Sequence, residues 1–536
     1  MAKAVSARTV KAMLSDGDEI ALLDVRETGQ YADGHPFFAV PLAYSRLEIE
    51  FERLVPRRTV RVVLFDDGDG VAERAAQRAE GLGYTDVAVM EGGAPAWEAA
   101  GFTLFDGVNL PSKTFGELVE IERHTPRITA DELVAMQKRG DNLVIVDGRT
   151  WAEYQRFNIP GGISCPNGEL ALRIDTIAPD PKTRIVVNCA GRTRSIIGAQ
   201  TLIDLGVPNE VVALENGTQG WFLAGFEVER GASKKYPAPA LSAEKLAERR
   251  TRAAGHAAKC GVRAVKTADV RAWLSDPSRT TYLLDVRTVE DVTAAPLAGF
   301  VHAPGGQLQQ ATDQWVGVKG ARIVLADGEG IRAPMVAAWL RQLGHEAYVL
   351  EDRENAATIG AAMPAGRHAR GPEVLRALAA ELRAIAPQGL SAMLWSGGGT
   401  ALDLRSSQDY RDGHVPGSVW ATRSRIAAAI ADAAQPVILI ADSPEVAAAA
   451  SLDLAEIGVG EISMLAGGVE AWSADGQALN ATPDSPPDAE RIDFVFHTHQ
   501  RHDGNVEAAR AYLAWEVDLV DRLDEQERSA FRIAGH

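Results

Sequence analysis

Short apolar runs closed by polar turn residues recur along the chain. Four of them end almost identically: LLDVR at Arg26, IVDGR at Arg149, LLDVR at Arg287 and ALDLR at Arg405. Each run is Leu-rich or β-branched and flanked by turn formers, the pattern of a strand buried on both faces of a parallel sheet. The aspartates of these runs, Asp24, Asp147, Asp285 and Asp403, lie 123, 138 and 118 residues apart, about one small domain each. A second apolar run follows in every copy, VRVVLF, RIVVN, RIVLA and PVILIA. Each leads into a short polar or Gly-containing loop and then an Ala-rich helical stretch. These loops start at Asp67, Cys189, Asp327 and Asp442, which lie 43, 42, 42 and 39 residues beyond the first aspartate. A third run ends in a turn and helix, EGGAPAW, ENGTQGW and AGGVEAW, closing on Trp97, Trp221 and Trp472. The third copy reads EDRENAA, with Arg353 in place of Gly and Ala357 in place of Trp, and has lost this signal.

Strands alternating with helices predict parallel pairing and an α/β fold. Ligands of such sheets bind beyond the carboxyl ends of the strands, where the loops after the second strand lie. The expected layout is four tandem α/β domains, each a small, mostly parallel sheet flanked by helices, over residues 1–108, 124–231, 263–370 and 371–479. Residues 232–262 read as a linker with a helical part. The Pro- and Asp-rich stretch ATPDSPPDAE then opens a C-terminal segment, 480–536, in which VEAARAYLAWEVDLVDRLDEQERSAF has the periodicity of an amphipathic helix. That helix is expected to pack on a domain or across a dimer interface.

Composition changes this picture little. With 536 residues the chain is too long for one core. Apolar residues make up 46 % and charged residues 24 %, as in an ordinary globular protein. The net charge of −18 argues against a broad nucleic-acid surface. No signal peptide and no run of roughly 18 apolar residues stands out, so no membrane span is expected. Three cysteines, Cys165, Cys189 and Cys260, make no disulfide framework and fit a reducing cytoplasm.

The chemistry concentrates in the second copy, VVNCAGRTRSIIGAQ. Cys189 follows a buried strand, and Ala190, Gly191, Arg192, Thr193, Arg194 and Ser195 turn into a helix expected to begin near Ile196. Backbone amides of such a turn can converge on one point, with the helix N-terminus behind them. Arg192 and Arg194 add two positive charges. All three effects favour thiolate over thiol, so a depressed pKa is expected for Cys189. A buried packing cysteine is the alternative, but it leaves the two arginines and the glycine unexplained.

These pieces together resemble the rhodanese family. They are the D-[VGL]-R strand ends, the YADGHP and YRDGHVPG segments, the strand–loop–helix around Cys189 and the G-x-x-x-W closures, and they reach to about residue 478. The resemblance implies four tandem rhodanese-like domains with a C-terminal helical tail, one active site and thiosulfate sulfurtransferase-like activity without a cofactor or metal. In that chemistry the Cys189 thiolate takes the sulfane sulfur of thiosulfate or another persulfide-type donor. The resulting persulfide then yields it to cyanide, a thiol or a sulfur-relay protein, with ping-pong kinetics as the fingerprint. Residues 190–195 would bind substrate, with the loop amides in an oxyanion-hole-like role.

Phosphatases and arsenate reductases on the same scaffold carry five residues between Cys and Arg and usually a His before Cys. Here four residues separate Cys189 from Arg194, and Asn188 precedes the cysteine, which favours sulfur transfer. Some thiosulfate-using members have an Arg just before the conserved Tyr. In this chain Glu153 precedes Tyr154, and an acidic residue facing the pocket would oppose an anionic donor.

Asp67, Asp327 and Asp442 replace the cysteine in the other copies and cannot form a persulfide. Those domains are expected to be scaffolds, or else docking sites for a donor or acceptor protein in a persulfide-carrier chain. Because the silent copies keep the Asp–Arg pair, Asp147 and Arg149 are expected to be structural. Cys165 reads as a packing cysteine or a relay thiol, and Cys260, at the linker end, has no charged nest. His497, His499 and His502 lie close together in sequence but match no zinc pattern. A homo-oligomer is compatible with all of this.

Overall fold

A computed structural model describes residues 3–356, 358–359, 370–431, 435–496 and 505–534. Ala357 and the histidines at 497, 499 and 502 lie outside the described residues.

Each copy of the repeat forms one five-stranded sheet. The first sheet comprises β1 (Lys3–Val5), β2 (Ile20–Asp24), β3 (Val40–Pro41), β4 (Arg61–Phe65) and β5 (Val87–Met90). The second comprises β6 (Arg127–Ile128), β7 (Leu143–Asp147), β8 (Ile163–Ser164), β9 (Arg184–Asn188) and β10 (Val211–Leu214). The third holds β11 (Arg263–Val265), β12 (Thr281–Asp285), β13 (Val301–His302), β14 (Arg322–Ala326) and β15 (Glu346–Leu350). The fourth holds β16 (Arg383–Ile385), β17 (Thr400–Asp403), β18 (Val419–Trp420), β19 (Val437–Ile440) and β20 (Ile462–Leu465). All four share one strand order, exemplified by β6-β10-β9-β7-β8, and all ladders are parallel. The apolar runs of the sequence are the central strands, and Ile185, Val186 and Val187 of β9 are fully buried between helices on both faces.

The third copy keeps the same sheet although its closing motif is gone. A short 3₁₀ turn, Arg353–Asn355, stands where the other copies begin a helix. Burial of alternating strands and helices is enough to specify this fold; the motif is not required.

By compactness the chain divides into two units. One holds the first and fourth sheets. The other holds the second and third sheets together with the C-terminal segment from His497 onward. In the first of these, buried Arg423 is paired with Glu48 at 2.6 Å and Asp453 at 2.5 Å. In the second, Gly168 meets Gly305 and Gly306 so closely that a methyl on Gly168 would stand 2.5 Å from the Gly306 nitrogen. Buried Arg332 there pairs with Glu169, Asp291 and Glu329, and the Trp339 indole donates to Thr201 Oγ1 at 2.8 Å. The third domain is thus packed against the helix that follows Cys189.

The linker stretch forms a helix, Ala243–Lys259, whose buried Arg249 is held bidentately by Asp175 at 2.7 Å. The tail differs from expectation. Its helix runs only over Val506–Asp518, and a separate turn, Glu525–Arg528, follows. The cause is local: Asp524 and Glu527 form a capping box, which starts a new helix rather than continuing the old one. Among the described residues no helix is long and apolar enough to cross a membrane.

Candidate active site

The Asp–Arg pair has one geometry in all four copies. Arg149 donates through its backbone N–H and Nε to Asp147 Oδ1, and through Nη2 to Asp147 Oδ2 at 2.7 Å and to the Phe157 carbonyl at 2.6 Å. Arg26, Arg287 and Arg405 make the same fork to their aspartates and to the carbonyl eight residues on. The pair ties a strand end to the helix that follows it. A second tie is the motif tryptophan: Trp97, Trp221 and Trp472 each donate to the carbonyl six residues on.

The Gly of the third motif has a steric reason. Gly217 sits at φ +54°, and a Cβ there would lie 2.4 Å from the Cys189 carbonyl oxygen and 2.7 Å from that of Gly191. The Thr218 and Gln219 amides donate to the Cys189 and Ala190 carbonyls at 2.8 and 3.0 Å. This helix start therefore props the Cys189 loop from below. Gly217→Ala combines a left-handed backbone with a clash, and is expected to destabilise the unit by about 2 kcal/mol or more and to slow modification of Cys189. An unchanged urea midpoint in that variant would remove the argument.

Cys189 itself is 2 % exposed. Its Sγ lies 3.6 Å from Ser195 Oγ, which donates to the Arg192 carbonyl at 2.7 Å. The following helix begins at Thr193, not near Ile196, so Thr193 to Ser195 form its first turn. The Asn167 amide donates to the Arg194 carbonyl at 2.8 Å and pins that turn.

The two arginines do not act as unpaired cations. Arg192 is held by Glu117 at 2.7 Å and also by Glu120 and Asn216. Arg194 forms a bidentate pair with Glu153 at 2.7 and 2.8 Å. Glu153 also forms the capping box with Thr150. Burial pushes the Glu153 carboxyl up, but the Arg194 guanidinium more than reverses this and holds it well below the usual range.

The expected depressed pKa of Cys189 is accordingly not found. Burial raises it; the Arg194 charge and the Ser195 hydroxyl offset this only in part, and the Glu516 charge adds to the rise. A raised pKa means that the thiol is the resting form at neutral pH and that the thiolate fraction grows with alkalinity. Alkylation of Cys189 by iodoacetamide is expected to keep climbing beyond pH 9, followed by peptide mass; a plateau below pH 7 would contradict this.

Several site residues carry no motif. Glu117 and Glu120 come from the helix Leu110–Arg123, between the repeats, whose Pro near its start and apolar spacing are its sequence signals. Burial lifts the Glu117 carboxyl to about 7, against the pull of Arg192. Its protonated form thus favours folding most below its unfolded pKa, and that contribution is lost as pH rises through about 7. Glu516 comes from the tail helix and accepts from Thr193 Oγ1 at 2.7 Å.

The three loops without a cysteine hold their aspartates differently. Asp327 accepts from the amides of Gly330, Ile331 and Ala333 at 2.9, 2.9 and 3.2 Å, so its own carboxylate fills that nest. Asp67 is paired with Arg26 at 2.8 Å. Asp442 lies on the surface. Of the other cysteines, Cys165 is fully buried in the second domain's core and its thiol is pushed up further by burial, which suits packing. Cys260 sits 3.6 Å from His256, and burial lifts it to about 11.

The rhodanese-like domain model matches residues 6–100, 129–224 and 386–475, which leaves the third sheet unmatched. Among solved structures, a thiosulfate sulfurtransferase from Pseudomonas aeruginosa is 40 % identical, with a TM-score of 0.89 over 99 % of this chain and 100 % of that one. Among curated proteins, a helix-turn-helix-type transcriptional regulator of Mycobacterium tuberculosis is 35 % identical over 105 residues, 20 % of this chain. The match spans 45 % of that regulator's length.

Proposed function

Since this chain belongs to the rhodanese-like family, we propose that it is a sulfurtransferase working through a persulfide on Cys189. The observation that carries this reading is the loop itself. Of four equivalent strand-to-helix loops, the second alone holds a cysteine, while in the third the carboxylate occupies its own amide nest. The likeness to the Pseudomonas aeruginosa thiosulfate sulfurtransferase extends over both chains and supports the same chemistry.

In the first half-reaction Cys189 Sγ attacks the outer sulfur of a thiosulfate or persulfide donor. The sulfur–sulfur bond of the donor breaks, and the leaving group or solvent takes the thiol proton. The enzyme then carries Cys189–S–S⁻, stabilised by the loop amides and the first turn of the helix Thr193–Asp204. In the second half-reaction cyanide or a thiol attacks the outer sulfur, and the electron pair returns to Cys189 Sγ. Arg194 supplies positive charge nearest the sulfur, tempered by Glu153. Arg192 serves mainly to hold the loop against Glu117 and Glu120.

The test is intact mass. Incubation with a sulfane donor is expected to add one sulfur, about 32 Da, removable by cyanide. No mass gain with thiosulfate, polysulfide or a small persulfide would overturn the reading. Steady turnover of small donor and acceptor separates a sulfurtransferase from a persulfide carrier.

A further inference from the structure

The C-terminal helix Val506–Asp518 packs against the helices Leu110–Arg123 and Gly217–Leu223, the two that support the Cys189 loop. The segment beyond it is tied down as well. Arg532 N–H donates to the Gln342 carbonyl at 2.8 Å, Ala534 N–H to Gln342 Oε1 at 3.0 Å, and Arg123 to the Ala534 carbonyl at 3.2 Å. The tail is therefore part of the site's wall. A methyl placed on Gly191 would stand 3.0 Å from Glu516 Oε2, 3.4 Å from the Tyr512 ring and 3.7 Å from Gln219 Nε2. Three side chains thus converge two residues beyond the nucleophile.

Two of them hold unspent polar capacity. Glu516 is 2 % exposed and Gln219 4 % exposed. Glu516 Oε1 accepts from Thr193, but Glu516 Oε2 and both amide atoms of Gln219 find no hydrogen-bond partner among the described residues. A buried carboxylate oxygen and a buried amide left this way are costly unless a ligand completes them. The surrounding charges are already engaged: Arg192 with Glu117 and Glu120, Arg194 with Glu153, and Lys113 over the Tyr512 and Trp515 rings at 4.8 and 4.5 Å.

Resting on the sulfur-transfer reading, we propose that Glu516 is a specificity-determining residue. With Gln219 it selects acceptor thiols bearing an ammonium group over anionic thiols. In the loaded enzyme the persulfide is itself an anion, so a cationic thiol is drawn by two negative groups and an anionic one is opposed by both. The step balances: RSH and Cys189–S–S⁻ give RSS⁻ and Cys189–SH. A sulfur–sulfur bond forms between the acceptor's thiol sulfur and the outer sulfur, the bond between Cys189 Sγ and that sulfur breaks, and the thiol's proton ends on Cys189.

The test loads the full chain with persulfide and mixes it with 2-aminoethanethiol, 2-mercaptoethanol or 3-mercaptopropionate in single-turnover mode, with rates corrected for thiolate concentration. The expected order is cationic, neutral, anionic, with about a tenfold spread that shrinks at high salt. Glu516→Gln is expected to bring the cationic and anionic thiols within about twofold of each other. A native chain that favours the anionic thiol overturns the proposal whether or not the variant folds. A folded Glu516→Gln that keeps the native ratio overturns it too. Failure of the native chain to load sulfur at all is a different result and counts against the persulfide mechanism instead.

Discussion

Cys189→Ser gains no sulfur and loses transfer activity by on the order of 10³-fold or more. The hydroxyl preserves size and the contact toward Ser195, so the loop stays in place. What disappears is the polarisable nucleophile. A serine oxygen cannot form the sulfur–sulfur bond, and burial that already disfavours the thiolate disfavours an alkoxide far more. Intact mass and thiocyanate formation measure the two losses separately. Cys165→Ala and Cys260→Ser are expected to load one sulfur as the native chain does, since Cys165 is sealed in the core and Cys260 lies in the linker helix region. Loading retained in Cys189→Ser and lost in either control would move the chemistry to another thiol.

The second large effect is on stability. Asp147→Ala is expected to destabilise the unit by about 3–5 kcal/mol, because it strands a buried guanidinium. Arg149 is 1 % exposed and spends three donors on that carboxylate. The carbonyl of Phe157 and the Phe157 ring, 4.9 Å away, remain but supply no counter-charge. Replacing both partners, as Asp147→Leu with Arg149→Met, is expected to recover most of the loss, since it is the unpaired charge that costs. Calorimetry of the full chain would resolve the affected unit from the other. A single variant as stable as the native chain would show that Arg149 escapes to solvent.

Much of this was legible in the chain. Apolar runs at matched intervals mark the central strands, and four loops in register single out Cys189. The GG and NG turns are readable because only glycine tolerates the approach of Gly217 to the Cys189 carbonyl. The electrostatics were less legible. Arg192 and Arg194 read as cations aimed at the sulfur, yet each is bound to a carboxylate. Glu153 is near in sequence, but Glu117, Glu120 and Glu516 lie 75, 72 and 323 residues from their loop partners. No local pattern announces a partner at that separation.

By itself, then, the order of residues determined four parallel α/β repeats and placed a cysteine in one of four matching loops, because strand burial and turn chemistry are local and periodic. The third copy shows the strength of that code: its sheet persists without the closing motif. Only the tertiary structure decided how the repeats group into units and that a helix near the C-terminus walls the Cys189 loop. It also decided the protonation preference of the thiol. Desolvation and charge pairing depend on what packs around a group, and those neighbours come from segments far apart along the chain.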